Sequence, residues 1–267
     1  MKANLGSLEA RLLASAQLRG VQVVRAPEVA KTLRIDALQA RRLLGRLSRR
    51  RAIARVCPGV YLLPKRLPLG GMWSPDEALA LATLMAERGA RYQVTGPNAF
   101  NRYGFDEQMP NRLYVYNDKL SGEREIGSIR LTLIEVDAKR LGDTELLQNE
   151  AGVEIPYSSR TRALVDAVYD WSRFHGLPRG FAWIRRELAT DRIEASALVA
   201  CTLRYGDVST LRRMGALLER EGVAEKLIRK LEAHLMATKS TIPFVPNAPK
   251  RGAMLRRWGI VWNERDG

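Results

Sequence analysis

The chain has 267 residues, 46% of them hydrophobic, which is enough for a sizeable core and usually means two domains. No apolar run reaches about eighteen residues, so a membrane-spanning helix is not expected, and the amphipathic start, broken by Glu9 and Arg11, does not read as a secretory signal. The net charge of +15 is uneven: residues 1–70 hold 15 Lys/Arg against 3 Asp/Glu, whereas the rest holds 29 against 26. Such concentration points to a polyanion site near the start rather than to general solubility.

In chain order, Leu5, Leu8, Leu12, Leu13 and Ala16 repeat with helical spacing up to Gly20. Pro27 suits a first helical position, because its missing N–H has no partner to lose there. The second helix then runs to Leu33, and Arg34-Ile35 forms a short turn. Asp36 is a good N-cap, with Gln39 placed to complete a capping box. The third helix has an apolar stripe of Ala40, Leu43, Leu44 and Leu47, and an opposite face of Gln39, Arg42, Arg46 and Arg49, flanked by Arg41 and Arg50. Two β-prone runs follow, 52–56 and 60–63, separated by Cys57-Pro58-Gly59. Helix, turn, helix and β-hairpin in this order predict a winged helix-turn-helix.

Residues 65–75 are rich in Pro and Gly and read as a linker. Ser74-Pro75-Asp76-Glu77 looks like a capping box that opens a helix to about Arg88. A short strand over 91–95 and a short helix over 97–103, closed by Gly104, come next. Residues 112–117 and 129–136 alternate like an antiparallel pair joined by a long polar connection, and 153–155 adds a strand. Helices are expected over 159–172, 179–190, 194–205, 208–221 and 223–237, and the last twenty-eight residues read as irregular. The expected fold is α+β: a winged helix-turn-helix domain over 1–66, a linker over 67–75, and a larger mixed α/β domain over 76–267, mostly helical in its second half.

Duplex DNA is the expected polyanion. Arginine matches guanine O6/N7 and glutamine matches adenine N6/N7 in the major groove, and the N-terminal part of a recognition helix reaches base edges. That assigns base reading to Gln39, Arg41 and Arg42. Arg46, Arg49, Arg50, Arg51, Arg55, Lys65 and Arg66 are assigned to phosphate. A single-stranded RNA reader needs aromatic platforms, and Tyr61 is the lone aromatic among residues 1–70.

Catalytic patterns are scarce. His175 and His234 lack ligand spacing, and there is no Gly-rich phosphate loop and no nucleophile elbow. Cys57 sits beside arginines, which can activate a thiol, although a turn residue is the plainer reading. Cys57 and Cys201 lie far apart, in keeping with a reducing cytoplasm. Asp118, Asp137 and Lys139 end two expected strands and resemble the carboxylate–lysine set of a metal-dependent nuclease, the enzymatic alternative. The leading expectation is a non-enzyme with no metal and no cofactor.

The run LSRRRAIARVCPGVY from Leu47 to Tyr61 resembles the wing entry of the AbiEi antitoxin family. The segments SPDEALA from Ser74, VTGPNAFNRYGF from Val94 and SRTRALVD from Ser159, with the tail from Pro246 to Trp258 and Asn263, are similar to that family's later motifs in order and spacing, over nearly the whole chain. The resemblance implies a bacterial antitoxin that represses its own operon at inverted repeats in the promoter and counters a cognate nucleotidyltransferase-like toxin, mostly without a stable toxin complex. With no coiled-coil heptad in view, a monomer that binds cooperatively on DNA is expected. Two departures concern the wing: the family commonly has glycine at the position of Arg51 and a basic residue at the position of Pro58. A winged-helix regulator unrelated to any toxin is the remaining alternative.

Overall fold

A computed structural model describes residues 6–66, 73–149, 152–236 and 240–264. In chain order these form α1 (Ser7–Leu18), β1 (Val23–Arg25), α2 (Ala26–Leu33), α3 (Ala37–Arg49), β2 (Ala54–Cys57), β3 (Val60–Leu62) and α4 (Glu77–Arg88). Then come β4 (Tyr92–Val94), α5 (Pro97–Arg102), β5 (Leu113–Asn117), β6 (Gly122–Ile126), β7 (Ile129–Glu135), a 3-10 turn (Ala138–Arg140), β8 (Thr144–Gln148) and β9 (Glu154–Ser158). The chain continues through α6 (Arg160–Tyr169), α7 (Trp171–Phe174), α8 (Arg179–Ala189), α9 (Ala195–Tyr205), α10 (Val208–Arg220) and α11 (Glu225–Glu232), and ends in β10 (Ile242–Pro243), β11 (Ala253–Leu255) and β12 (Ile260–Trp262). The fold mixes helices and sheets, in line with the α+β expectation. Among the described residues no helix is long and apolar enough to cross a membrane.

The chain divides into two compact units that do not follow the expected boundaries at 66 and 76. The first takes the described residues of 6–92, 111–135 and 147–155; the second takes 93–110, 136–146 and 156–264. Most of the expected linker, residues 67–72, lies outside the described residues, as do Leu5 and residue 237 of the expected first and last helices.

In the first unit, α1, α2 and α3 close around Leu12, Leu13, Val29, Leu33, Leu43, Leu44 and Leu47. Burying a leucine side chain fully is worth about 2–3 kcal/mol, so the apolar stripe of α3 anchors this core. Tyr61 is buried there too, as part of β3. Strands β1, β3 and β2 make an antiparallel sheet in that order. Pro58 and Gly59 form the two-residue turn between β2 and β3, and Gly59 takes φ 86° there, a conformation that glycine adopts without a Cβ clash. Strand β1, absent from the sequence reading, is three residues long and too short to register as a periodic pattern.

Two sequence expectations need correction in this unit. The N-cap of α4 is Asp76, whose carboxylate accepts from the Leu79 N–H at 2.8 Å, so Ser74 and Pro75 precede the helix. Strands β5 and β7 pair in parallel, not antiparallel. The polar connection between them contains β6, which forms a hairpin with β7. Ile126 and Ile129 face each other across Gly127-Ser128, and Gly127 takes φ 64°, the glycine-first arrangement that two-residue hairpins favour. A Cβ on Gly127 would lie 2.8 Å from Pro75 Cδ and 3.3 Å from Ala54 Cβ, so this turn packs tightly against β2.

In the second unit α6 is nearly all buried and α8, α9 and α10 pack beside it. Strands β4 and β9 are parallel, paired at Val94 and Tyr157. The stretch that reads as irregular holds a small sheet, β10-β12-β11, with Phe244 stacked between Phe181 and Trp262 at centroid distances of 4.0 and 3.9 Å. The Arg212 Nε–H donates to the Trp258 carbonyl at 2.6 Å and Arg213 Nε–H to that of Phe244 at 3.2 Å, tying α10 to this sheet. Burial pushes the Arg213 guanidinium down to about 10.

Candidate nucleic-acid interface

The helix that bears the arginines is set by its cap and its buried stripe. Asp36 Oδ1 accepts from the Gln39 N–H at 2.7 Å, fixing where α3 begins. Ala40, Leu43, Leu44 and Leu47 are at most 1% exposed, so the orientation of α3 about its own axis is determined. Gln39, Arg41, Arg42, Arg46 and Arg49 are consequently exposed, as are Arg50, Arg51, Arg55, Lys65 and Arg66 beyond the helix. Every residue expected to meet DNA thus stands at the surface of the first unit.

They do not form one uniform stripe. At about 100° per residue, Gln39 and Arg41 point roughly 160° apart around the axis. Arg42 and Arg49 hold the middle of the exposed face. Gln39, Arg46 and Arg50 share one flank, and Arg41, Gly45 and Ser48, at i, i+4 and i+7, share the other.

The first flank is partly neutralised from within. Glu9 of α1 is 4% exposed, and its carboxylate pairs with Arg46 Nε at 3.6 Å and Arg50 Nη1 at 3.2 Å while accepting from the Gly6 N–H at 3.1 Å. Arg46 and Arg50, both expected to hold phosphate, therefore already have a carboxylate. Among the described residues Arg41, Arg42 and Arg49 have none. The sequence carried the signal for Glu9: Glu9, Leu12, Leu13 and Ala16 are spaced i, i+3, i+4 and i+7, which puts a carboxylate in the buried row of α1. A second unforeseen residue is Leu38, 55% exposed beside Arg42 on the outward face of α3.

Arg51 ends the helix. It takes φ 57°, with its N–H donating to the Ser48 carbonyl at 2.9 Å and the Ala52 N–H donating to the Leu47 carbonyl at 3.0 Å, the paired bonds of a glycine-type C-terminal cap. An arginine in this left-handed conformation costs about 1 kcal/mol relative to glycine. Arg51→Gly is expected to raise the thermal midpoint by roughly 2–4 °C in a melting experiment. A lower midpoint would mean that contacts of the Arg51 side chain outweigh the backbone strain.

Beyond this cap lies a concave surface of about 650 Å3. Its polar walls are the C-terminal end of α3 (Ser48, Arg51), β2 (Arg55), Ser74, and the β6–β7 hairpin (Glu125, Ser128, Arg130), and Ile53, Ala54, Trp73 and Gly127 complete the lining. The Ser74 and Ser128 hydroxyls share a hydrogen bond, and Arg130 Nε pairs with Glu125 at 3.5 Å. At another edge of the same unit Arg25 pairs with Glu87 of α4, and that hydrogen bond raises its pKa.

The alternative catalytic residues have local roles. Asp118 Oδ1 accepts from the Arg91 N–H at 2.9 Å. Asp137 caps the 3-10 turn, accepting from the Lys139 N–H at 3.0 Å and pairing with its ammonium at 3.2 Å. The backbone bond from Lys139, then its side chain, holds the Asp137 carboxyl below its usual range. Among the described residues no three His, Cys, Asp or Glu side chains gather as a metal site. Both cysteines are buried, and burial pushes the Cys201 thiol up. His175 closes α7 in a left-handed conformation, and His234 Nδ1 bonds the Lys230 carbonyl at 2.9 Å.

The second unit holds a buried polar network that the sequence reading did not anticipate. Asp166 Oδ1 accepts from Arg162 Nε–H at 2.9 Å and Arg140 Nη2–H at 3.2 Å, while Oδ2 accepts from the Thr95 hydroxyl at 2.9 Å and the Ser158 hydroxyl at 3.3 Å. Arg162 donates further to the Gly142 and Arg140 carbonyls and lies 3.8 Å over the Tyr205 ring. Arg162 and Asp166 are i, i+4 on α6, inside the SRTRALVD segment.

No protein-family model matches the chain, and no curated protein matches it. Among solved structures it is similar to the crystal structure of the RV2827C protein from Mycobacterium tuberculosis, at 15% identity and a TM-score of 0.61, over 96% of this chain and 92% of that one. The likeness is one of fold.

Proposed function

We propose that this chain is a winged-helix DNA-binding repressor, with α3 as its recognition helix and the β2–β3 hairpin as its wing. The observation that carries the reading is the two-faced α3. One face is fully buried, and the other presents Arg42 and Arg49, with Gln39 and Arg41 on its flanks, in a segment of net charge +12 over residues 1–70. A helix of this kind enters a major groove without disturbing its own core. Base reading then falls mainly to Arg42, in the N-terminal half of the helix, with Arg49 holding phosphate. Arg46 and Arg50 serve phosphate only in so far as they leave Glu9.

The regulatory half of the reading comes from the resemblance to AbiEi antitoxins: the target is the promoter of the chain's own toxin–antitoxin operon, and the toxin is nucleotidyltransferase-like. Nothing in this reading requires catalysis.

Gel shifts of the upstream promoter test the DNA half. Arg42→Ala with Arg49→Ala is expected to abolish the specific shift, since a bidentate guanine contact alone is worth about 1–3 kcal/mol. Both positions are exposed, so the variant is expected to melt like the parent. Undiminished binding would remove α3 from the interface. Co-expression with the product of the neighbouring reading frame tests the other half: growth rescue supports an antitoxin, and promoter binding without rescue leaves a plain regulator.

A further inference from the structure

We propose that the concave surface between the end of α3, β2 and the β6–β7 turn seats the sugar–phosphate backbone of one DNA strand, so that the β6–β7 hairpin is part of the DNA-binding surface. The proposal rests on the DNA-binding reading of α3 and extends it to residues some seventy positions further along the chain.

The groove has the chemistry that a phosphate backbone needs. Three arginines, Arg51, Arg55 and Arg130, face a lone carboxylate, Glu125, which pairs with Arg130 at 3.5 Å and which Arg130 exchanges for phosphate, and the polar walls are otherwise the hydroxyls of Ser48, Ser74 and Ser128. Phosphate oxygens are bound mostly by arginine and by hydroxyl and backbone donors, in contacts that position the protein without reading sequence. The groove, of about 650 Å3, is open to solvent, and Ile53, Ala54 and Trp73 add an apolar part to its lining on which the sugars of a backbone can rest.

The groove also continues a surface of α3. Ser48 belongs to the same flank as Arg41 and Gly45, the flank that Glu9 does not reach. Gly45 lies in the middle of α3, where glycine costs about 1 kcal/mol relative to alanine. A Cβ built there meets nothing within 4 Å, so nothing in the protein itself calls for glycine. Close approach of a ligand backbone does call for it. A strand that passes over Gly45 between Arg41 and Arg49 leads along α3 to Ser48 and into the groove. The hairpin is held in place to receive it, because Gly127 packs on Ala54 and Pro75.

Three variants of the full-length chain, titrated by fluorescence anisotropy onto a mixed-sequence DNA duplex over a range of salt, test this. Arg130→Gln is expected to weaken binding several-fold and to lower the slope of log affinity against log salt by about 0.9, the signature of one lost phosphate contact. Glu125→Gln is expected to do the opposite and tighten binding a few-fold, an effect that a merely structural hairpin would not produce. Gly45→Ala is expected to raise the thermal midpoint yet weaken binding. If Arg130→Gln and Glu125→Gln both bind like the parent while Arg42→Ala with Arg49→Ala does not bind, the hairpin lies outside the interface and α3 remains the reader. If the parent itself does not bind the duplex, the DNA-binding reading falls and the groove with it.

Discussion

Replacing Asp166 by alanine is expected to destabilise the second unit by about 3–5 kcal/mol, the cost of leaving buried charge without its counter-ion. The carboxylate accepts four hydrogen bonds, two of them from guanidinium groups. Arg162 is fully buried and Arg140 nearly so. The Gly142 and Arg140 carbonyls give Arg162 acceptors but no net negative charge. A calorimetric melt is expected to show a fall of roughly 10 °C. Removing both partners together, as Arg162→Met with Asp166→Leu, is expected to cost less than Asp166→Ala alone, because no cation is then stranded on α6. A loss of only about 1 kcal/mol in the single variant would mean that backbone carbonyls suffice to hold the guanidiniums.

Trp258→Ala carries an expected loss of similar size, about 3–5 kcal/mol. The indole is 1% exposed, and its N–H donates to Glu219 Oε2 at 2.7 Å. Its ring covers Gly215 of α10 so closely that a Cβ there would lie 2.1 Å from the ring. Glycine in a helix normally gives way to alanine with a gain of about 1 kcal/mol. Here Gly215→Ala is expected to destabilise instead, by about 1–3 kcal/mol, because a buried indole has nowhere to move. In the Trp258→Ala background the sign is expected to reverse, since the ring is gone. A double-mutant cycle on thermal unfolding checks this; additive losses would show that α10 and the ring do not compete for the same space.

The elements that were legible in the sequence are those whose pattern is long and local. The stripe of α3, its Asp36 cap and the Pro58-Gly59 turn all sit where spacing places them, because a single side of one helix or one turn type determines each. The helices of the second unit follow for the same reason. Strand β6 was missed because its burial is weak and its residues are mostly polar, so only Gly127-Ser128 marks the hairpin. The parallel pairing of β5 and β7 depends on where β6 goes, which no local pattern encodes. At the candidate interface, exposure of the arginines was readable, but their inequality was not. It arises from Glu9, more than thirty residues away in sequence, whose contact with Arg46 and Arg50 exists only once α1 packs on α3. The Asp166 network is likewise assembled from three separate stretches of chain: Thr95, Arg140, and the run from Ser158 into α6.

The broken course of the first unit bears on how the protein is made. Its core helices are synthesised before the β6–β7 hairpin that packs on β2, which follows α3 by some seventy residues. Chains fold as their parts appear, at about 5–20 residues per second, so the arginine-bearing helix exists for several seconds before its neighbouring hairpin. Long-range closure of this kind slows folding relative to local helix packing. A fragment ending at 66 would correspond to that interval: α3 would be formed, while the apolar side of the β2–β3 hairpin would still lack the cover that later residues supply.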